Sequence, residues 1–388
     1  MLYSIAILQV YNTDPDAVST LEELDECYAS VTQHTAAQAH AFDLLIEVIL
    51  GSVSKPSALF RKLAELVFTT FASEVTTQSL QSMTDILSKR ENLAGRQDLF
   101  DQADEDGEEE NNDSDEEASD VEVVDGSPAT PAEDGLSSEN EDGTTEDDQE
   151  SDGSFDGSDD QDDDDEEEES KRFDALLAET LKTSVVDGDE ESDDEDMDDE
   201  QMMALDPHLE TILKERKKIV NKKKEGRDAK ETVINFKNRV LDLLSIYVKQ
   251  QHANPLAMDL ILPLLRLIRS STSQQVAQKA VNLLKQYFDA CKGKDMPVPT
   301  RLGATWEMLS DVHAEAMRDA PKFHASACSR SSLFIVKVLV YLDRNNYDCA
   351  VDVYSKTQKH WFCDPKSRVQ PALFSDWINW SIAIRKPK

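Results

Sequence analysis

The chain has 388 residues, a formal net charge of −40 and only 6% aromatic residues. Residues 101–200 hold 48 acidic side chains against three basic ones (Lys171, Arg172 and Lys182), a net −45 that leaves the other 288 residues positive by about 5. This excludes a uniformly acidic globule and predicts two helical segments parted by a polyanion, the second one basic, with 31 Lys/Arg against 19 Asp/Glu after residue 200.

Residues 1–97 read as helical repeats. Residues 1–10 are apolar, with neither a basic leader nor a small-residue cleavage site, and look like the interior of a buried helix. A solenoid end carries a polar capping repeat. The apolar start therefore predicts the C-terminal piece of a longer protein, or a chain lacking its first repeats. Phe42, Leu45, Ile46, Ile49 and Leu50 share one face of a helix over 36–50, with Gly51 as its stop. Pro56 opens another, with Leu59, Phe60, Leu63, Leu66, Val67 and Phe71 at 3, 4 and 7 spacing. A third spans 78–89 through Leu80, Met83, Ile86 and Leu87. Short helices joined by short loops indicate an all-α solenoid of HEAT or armadillo type, although no strict repeat is present.

Residues 98–204 form an acidic linker, and runs such as 161–170 repel too strongly and bury too little to fold alone, so disorder is expected. Its one apolar island, 173–181, places Phe173, Leu176, Leu177 and Leu181 at helical spacing, as a short docking helix or a transient one. The tract is either a solvated spacer or a binding segment for basic proteins such as histones, ribosomal proteins or transcription factors. A polyanion competes with nucleic acid for such partners, which fits chromatin, nucleolar or ribosome-assembly work.

Residues 205–388 open on a basic helix followed by further helical repeats. Asp206-Pro207 caps a helix running from Leu209 to about Gln251, whose second half turns amphipathic through Val233, Phe236, Val240, Leu243, Leu244 and Tyr247. Helices follow at 256–268, where Pro263 predicts a kink, and at 274–290, 304–318, 331–342 and 347–362. The aromatic stretch 373–380 is expected to pack on that end.

Catalytic signatures are missing: no phosphate-cradling GxxxxGK[ST], no GxGxxG after a strand, no HExxH and no GxSxG. The seven histidines are scattered and read as surface or hydrogen-bonded helix residues, and no cofactor, metal or small-molecule substrate is implied. Five cysteines without CxxC spacing read as reduced, mostly buried thiols. No uninterrupted apolar run reaches the roughly 18–20 residues of a membrane span. An enzyme is not expected.

The sharpest feature is the stretch 214–230, with nine cations (Lys214, Arg216, Lys217, Lys218, Lys222, Lys223, Lys224, Arg227 and Lys230) against three acids. On a helix these cover most of the circumference, the wrong distribution for core packing. Three readings stay open: a solvated helix face, a nuclear or nucleolar localisation signal, and a nucleic-acid-binding helix. Without interleaved aromatics, binding would run through phosphates, tolerant of sequence and sensitive to salt.

The segment 54–68, Ser-Lys-Pro-Ser-Ala-Leu-Phe-Arg-Lys-Leu-Ala-Glu-Leu-Val-Phe, resembles the Myb-binding protein 1A / DNA polymerase phi family, also called the DNA polymerase V family, in its fungal form. So does the order of helical repeat, acidic tract, Asp206-Pro-His-Leu-Glu, Lys214-Glu-Arg-Lys-Lys and Phe236-Lys-Asn-Arg-Val-Leu-Asp-Leu-Leu. The resemblance implies a nucleolar α-solenoid acting in ribosomal RNA gene (rDNA) transcription and ribosome biogenesis, with rDNA or rRNA as nucleic-acid partner and longer members. The family name also implies DNA-directed DNA polymerase activity, but neither a YGDTDS-like nor a DxxSLYPS-like carboxylate motif is present. An acidic histone chaperone is the other alternative.

Overall fold

The computed structural model describes residues 2–11, 13, 17–32, 38–100 and 199–385. The acidic tract and its 173–181 island lie outside the described residues. Every regular element among those described is helical. Before the tract come α1 (Leu2–Tyr11), α2 (Ala17–Thr32), α3 (Gln38–Ser54), α4 (Ala58–Phe71), α5 (Thr77–Ser88) and α6 (Leu93–Phe100). After it come α7 (Asp199–Gln251), α8 (Ile261–Ser270), α9 (Gln274–Ala290), α10 (Leu302–Ala316), α11 (Lys322–Leu342), α12 (Asn346–Cys363) and α13 (Ala372–Arg385), with a 3₁₀ segment, Pro255–Leu260, leading into α8.

Consecutive helices pair, as α1 with α2, α2 with α3 and α3 with α4, the neighbour-on-neighbour pattern compatible with a solenoid. The flanks of the tract belong to one compact unit, joined by α7. The second half of α7 packs against α3, α4, α5 and α6 on one side and α9 on the other. Its predicted stripe, Val233, Phe236, Val240, Leu243, Leu244 and Tyr247, is buried throughout, and Leu241 and Val248 extend the burial to the adjoining side. Two-sided burial makes this half a core pillar.

Polar contacts fix the register of that pillar. Arg239 Nη1 donates to the carbonyls of Val53, Ser54 and Lys55 at 2.8, 3.0 and 2.8 Å, closing the C-terminal end of α3. A guanidinium there satisfies orphan carbonyls and the negative end of the helix dipole together. Arg239→Met should lower unfolding free energy by about 2 kcal/mol, read as a drop in urea midpoint at unchanged m-value. A second clasp is the ion pair of Lys237 and Glu91, 3.1 Å apart and each side chain only 2% exposed. Glu91 also accepts from Ser271 Oγ at 2.8 Å and from Thr272 N and Oγ1 at 2.7 Å. It sits in the α5–α6 link, where Asn92 Oδ1 caps Gly95 N at 2.9 Å. Gly95 is required there, since a Cβ would lie 1.8 Å from the Arg90 carbonyl oxygen.

Several boundaries differ from expectation. Gly51 does not stop α3, which runs to Ser54; the open space around Gly51 imposes no turn, and Pro56 excludes Lys55 from the helical region instead. Pro263 makes no mid-helix kink, because the segment is split at Leu260–Ile261 and Pro263 falls in the first turn of α8, where no backbone donor is needed. Residues 322–330 extend α11 beyond its expected start at 331, with the small side chains of Ala327, Cys328 and Ser329 buried. The apolar α1 buries Ala6 while Ile7, Leu8 and Tyr11 are exposed. At 21 residues, α11 has the length and mean hydropathy of a membrane span, reached without an unbroken apolar run, yet it packs as a core helix with α10, α12 and α13.

Cys27, Cys291 and Cys328 are buried free thiols, whereas Cys349 and Cys363 are exposed. The aromatic end packs as expected: Trp377 stacks on Tyr354 and Tyr347, with ring centroids 4.5 and 5.2 Å apart. His313 is buried beside them, its Nδ1 2.7 Å from Thr357 Oγ1 and its Nε2 2.7 Å from Ser332 Oγ. Thr357 donates its hydroxyl to the Val353 carbonyl. It must therefore accept from His313 Nδ1–H, which assigns the neutral tautomer and leaves Nε2 accepting from Ser332.

Candidate nucleic-acid interface

The nine predicted cations all lie on α7, eight of them before the buried Ala229 and Lys230 just after it, at the base of the exposed segment. The helix begins at Asp199, ten residues before the expected Leu209, and passes through Pro207. Pro207 removes one backbone hydrogen bond near the start of a 53-residue helix and does not end it.

Among the residues of α7 whose burial is described, Ala229 is the first buried one, followed by Val233 and Phe236. Residues 210–228 thus form an arm of about 28 Å at 1.5 Å rise per residue. Along it Lys214, Arg216, Lys217, Lys218, Lys222, Lys224 and Arg227 are exposed, while Lys223 and Lys230 are half-buried. At 100° per residue these positions point to every side of the rod, so the structure gathers them on one element without forming a single stripe. Lys214 pairs with Glu210 at 2.7 Å, a helical i, i+4 contact of small energetic weight between exposed groups. The exposed Leu213 and Val220 add no aromatic surface for stacking a base. A rod of this charge matches a phosphate backbone by electrostatics and not by reading bases.

Rigid mounting distinguishes the arm from a loose basic tail. Lys237, Arg239 and the buried stripe clamp the second half of the same continuous helix, so the cations are presented at fixed spacing from the body. Gly226 lies just before the packed half, and no atom stands within 4 Å of the Cβ it lacks.

Sequence reasoning passed over a second basic cluster. Lys285 on α9 and Arg330 and Lys337 on α11 line a common groove with Lys292, brought together from separate stretches by the pairing of α9 with α11. The sequence offered only the i, i+7 spacing of Arg330 and Lys337 as a sign. No group of three or more His, Cys, Asp or Glu able to hold a metal ion occurs among the described residues.

The chain matches the model of the DNA polymerase phi family over residues 1–248, a segment that ends within the packed half of α7. It is 30% identical over 412 aligned residues to the rDNA transcriptional regulator POL5 of Saccharomyces cerevisiae, covering 98% of this chain and 39% of that protein. To the rDNA transcriptional regulator pol5 of Schizosaccharomyces pombe it is 34% identical over 106 residues, 26% of this chain and 11% of that one. To human Myb-binding protein 1A it is 26% identical over 309 residues, 76% of this chain and 22% of that one. The chain thus spans well under half the length of the relatives it matches. No solved structure matches it. With the family model covering well over half of its residues and a 30% identical relative aligned along almost all of it, the chain belongs to the DNA polymerase phi family, the family of Myb-binding protein 1A.

Proposed function

We infer that this chain serves in a nucleolar scaffold for the regulation of rRNA gene transcription and for ribosome biogenesis, and that the α7 arm is its nucleic-acid contact. The observation that carries this reading is the arm itself, a long helix bearing cations on all sides and continuous with a core pillar. The names of the two yeast relatives, both rDNA transcriptional regulators, supply the process and its nuclear setting. The acidic tract is assigned to basic protein partners such as histones, ribosomal proteins or transcription factors, and the name Myb-binding protein 1A supports a transcription factor among them. No enzyme activity is assigned. The two yeast relatives are named as transcriptional regulators and not as polymerases.

Replacing the nine cations of the arm by glutamine tests the reading. With roughly five phosphates contacted, affinity for duplex DNA or RNA should fall about 500-fold from 50 to 200 mM salt in the native chain. The variant should bind more weakly and lose most of that salt slope. Equal affinity and slope in both proteins would refute the assignment. Primer extension by the purified chain, abolished on substituting folded carboxylates, would favour a polymerase. Histone capture that depends on residues 101–200 but not on the arm would favour a chaperone.

A further inference from the structure

Helices α9, α11 and α13 enclose a groove of about 690 Å³, within the size range of ligand-binding clefts. It lies outside the segment matched by the family model and away from the arm. Its floor is apolar: Phe288 and Phe334 stack at 4.6 Å and 28°, flanked by Leu333, Val340 and Met296. Its rim carries Lys285, Lys292, Arg330 and Lys337 against one carboxylate, Asp289, which Lys292 engages at 3.0 Å. Lys285, Arg330 and Lys337 have no carboxylate within ion-pair distance among the described residues. Burial, with the like charge of Lys292, lowers the pKa of Lys337, and Asp376 opposes that shift.

Three unpaired cations around an apolar floor leave two needs unmet. The floor lacks apolar cover and the rim lacks negative charge. One amphipathic helix meets both, with leucine or aromatic side chains at i, i+3 and i+4 on the floor and Asp or Glu on its flanks. The stripe Arg330, Leu333, Phe334, Lys337, Val340 and Tyr341 follows one face of α11, giving such a helix a rail of alternating apolar and basic contacts. Nucleic acid fits less well. Phe288 and Phe334 spend faces on each other, and Trp380 packs on Trp377 at 5.4 Å, so that Tyr341 at the edge offers an exposed ring beside an otherwise aliphatic floor, short of a row of stacking platforms.

We propose that the α9–α11–α13 groove is a docking site for a short acidic amphipathic helix of a partner protein. The probe is a fluorescent 16-residue peptide with leucines at helical i, i+3, i+4 and i+7 positions and glutamates elsewhere, titrated against the full chain. Binding should fall at least tenfold in Arg330→Glu/Lys337→Glu, whose exposed positions leave the core intact, and in a Glu→Gln version of the peptide. It should be unchanged in the nine-glutamine arm variant, which separates this site from the proposed nucleic-acid contact. Three results would overturn the proposal: no binding, equal binding by Arg330→Glu/Lys337→Glu, or single-stranded RNA displacing the peptide from the groove. Peptide binding that emerges only with Leu176→Ala/Leu177→Ala would likewise overturn it, by giving the groove to this chain's own acidic segment.

Discussion

Glu91→Ala should cost about 3–5 kcal/mol of unfolding free energy. The substitution leaves the Lys237 ammonium buried without a counter-charge, and both side chains are only 2% exposed. Burial alone would raise the Glu91 pKa, yet Lys237 and the donors Thr272 and Ser271 hold it below the ordinary carboxylate range. The reverse truncation should be milder. In Lys237→Met the carboxylate keeps three hydrogen bonds from Ser271 and Thr272, so a loss of about 1–3 kcal/mol is expected. Glu91→Met/Lys237→Met should recover much of the deficit, because a buried pair exchanged for apolar side chains is often near neutral. Urea midpoints for the three variants decide the matter. Glu91→Ala within 1 kcal/mol of the native chain, or a double variant no better than it, would show that the clasp carries little.

The clasp also explains why a long acidic insertion is compatible with one core. Glu91 and Lys237 lie 146 positions apart and embrace the whole tract.

How much of this was legible in the sequence depends on range. The limits of α9, Gln274–Ala290, were readable because Ser273 caps its start and the apolar period runs unbroken to the end. The buried half of α7 was readable for the same reason, as Val233 to Tyr247 keep a strict helical stripe. Proline and glycine misled where context overrode local preference: Gly51 and Pro207 sit inside helices, and Pro263 sits in a first turn. The nine cations were legible as a cluster because they are contiguous, while their rigid mounting was not, because it depends on carbonyls of α3 about 185 residues away. Glu91 reads in sequence as an ordinary solvated loop acid. Lys237 carried a faint signal, a lysine inside the buried stripe between Phe236 and Val240, which marks a charge needing a partner. The groove cations carried less, since Lys285 meets Arg330 and Lys337 only through helix pairing.

Acidification should destabilise the fold in two separable stages, and substitutions can remove each stage alone. His313 is 2% exposed, and burial lowers its pKa to about 4 from the ordinary 6.5. Its neighbours Thr357, Ser332 and Tyr354 are neutral, and its Nε2 lone pair is already taken by the Ser332 hydroxyl. The unfolded chain therefore takes up a proton below about pH 6.5 while the folded chain resists it down to about pH 4. Stability falls across that window by about 3 kcal/mol. Glu315 supplies the second stage. Burial alone would raise its pKa, but hydrogen bonding from His324 and Arg269 and the charges of Arg269 and Arg318 bring it down to about 2. Arg269 Nε lies 2.5 Å away and Arg318 Nε 3.3 Å away. A carboxylate with a depressed folded pKa stabilises fully above its unfolded value near 4.5, and that stability is lost as pH falls toward 2. Glu91, also depressed, acts in the same sense, and Asp259, raised by burial, opposes both. In urea unfolding followed from pH 7 to 2.5, His313→Phe should flatten the decline between about pH 6.5 and 4 while leaving the steeper acid limb. Glu315→Gln should do the reverse, at a cost of about 3–5 kcal/mol near neutral pH because Arg269 loses its partner. If His313→Phe keeps the native slope above pH 4.5, the buried imidazole does not govern the first stage, and the neutral tautomer assigned through Thr357 and Ser332 falls with it.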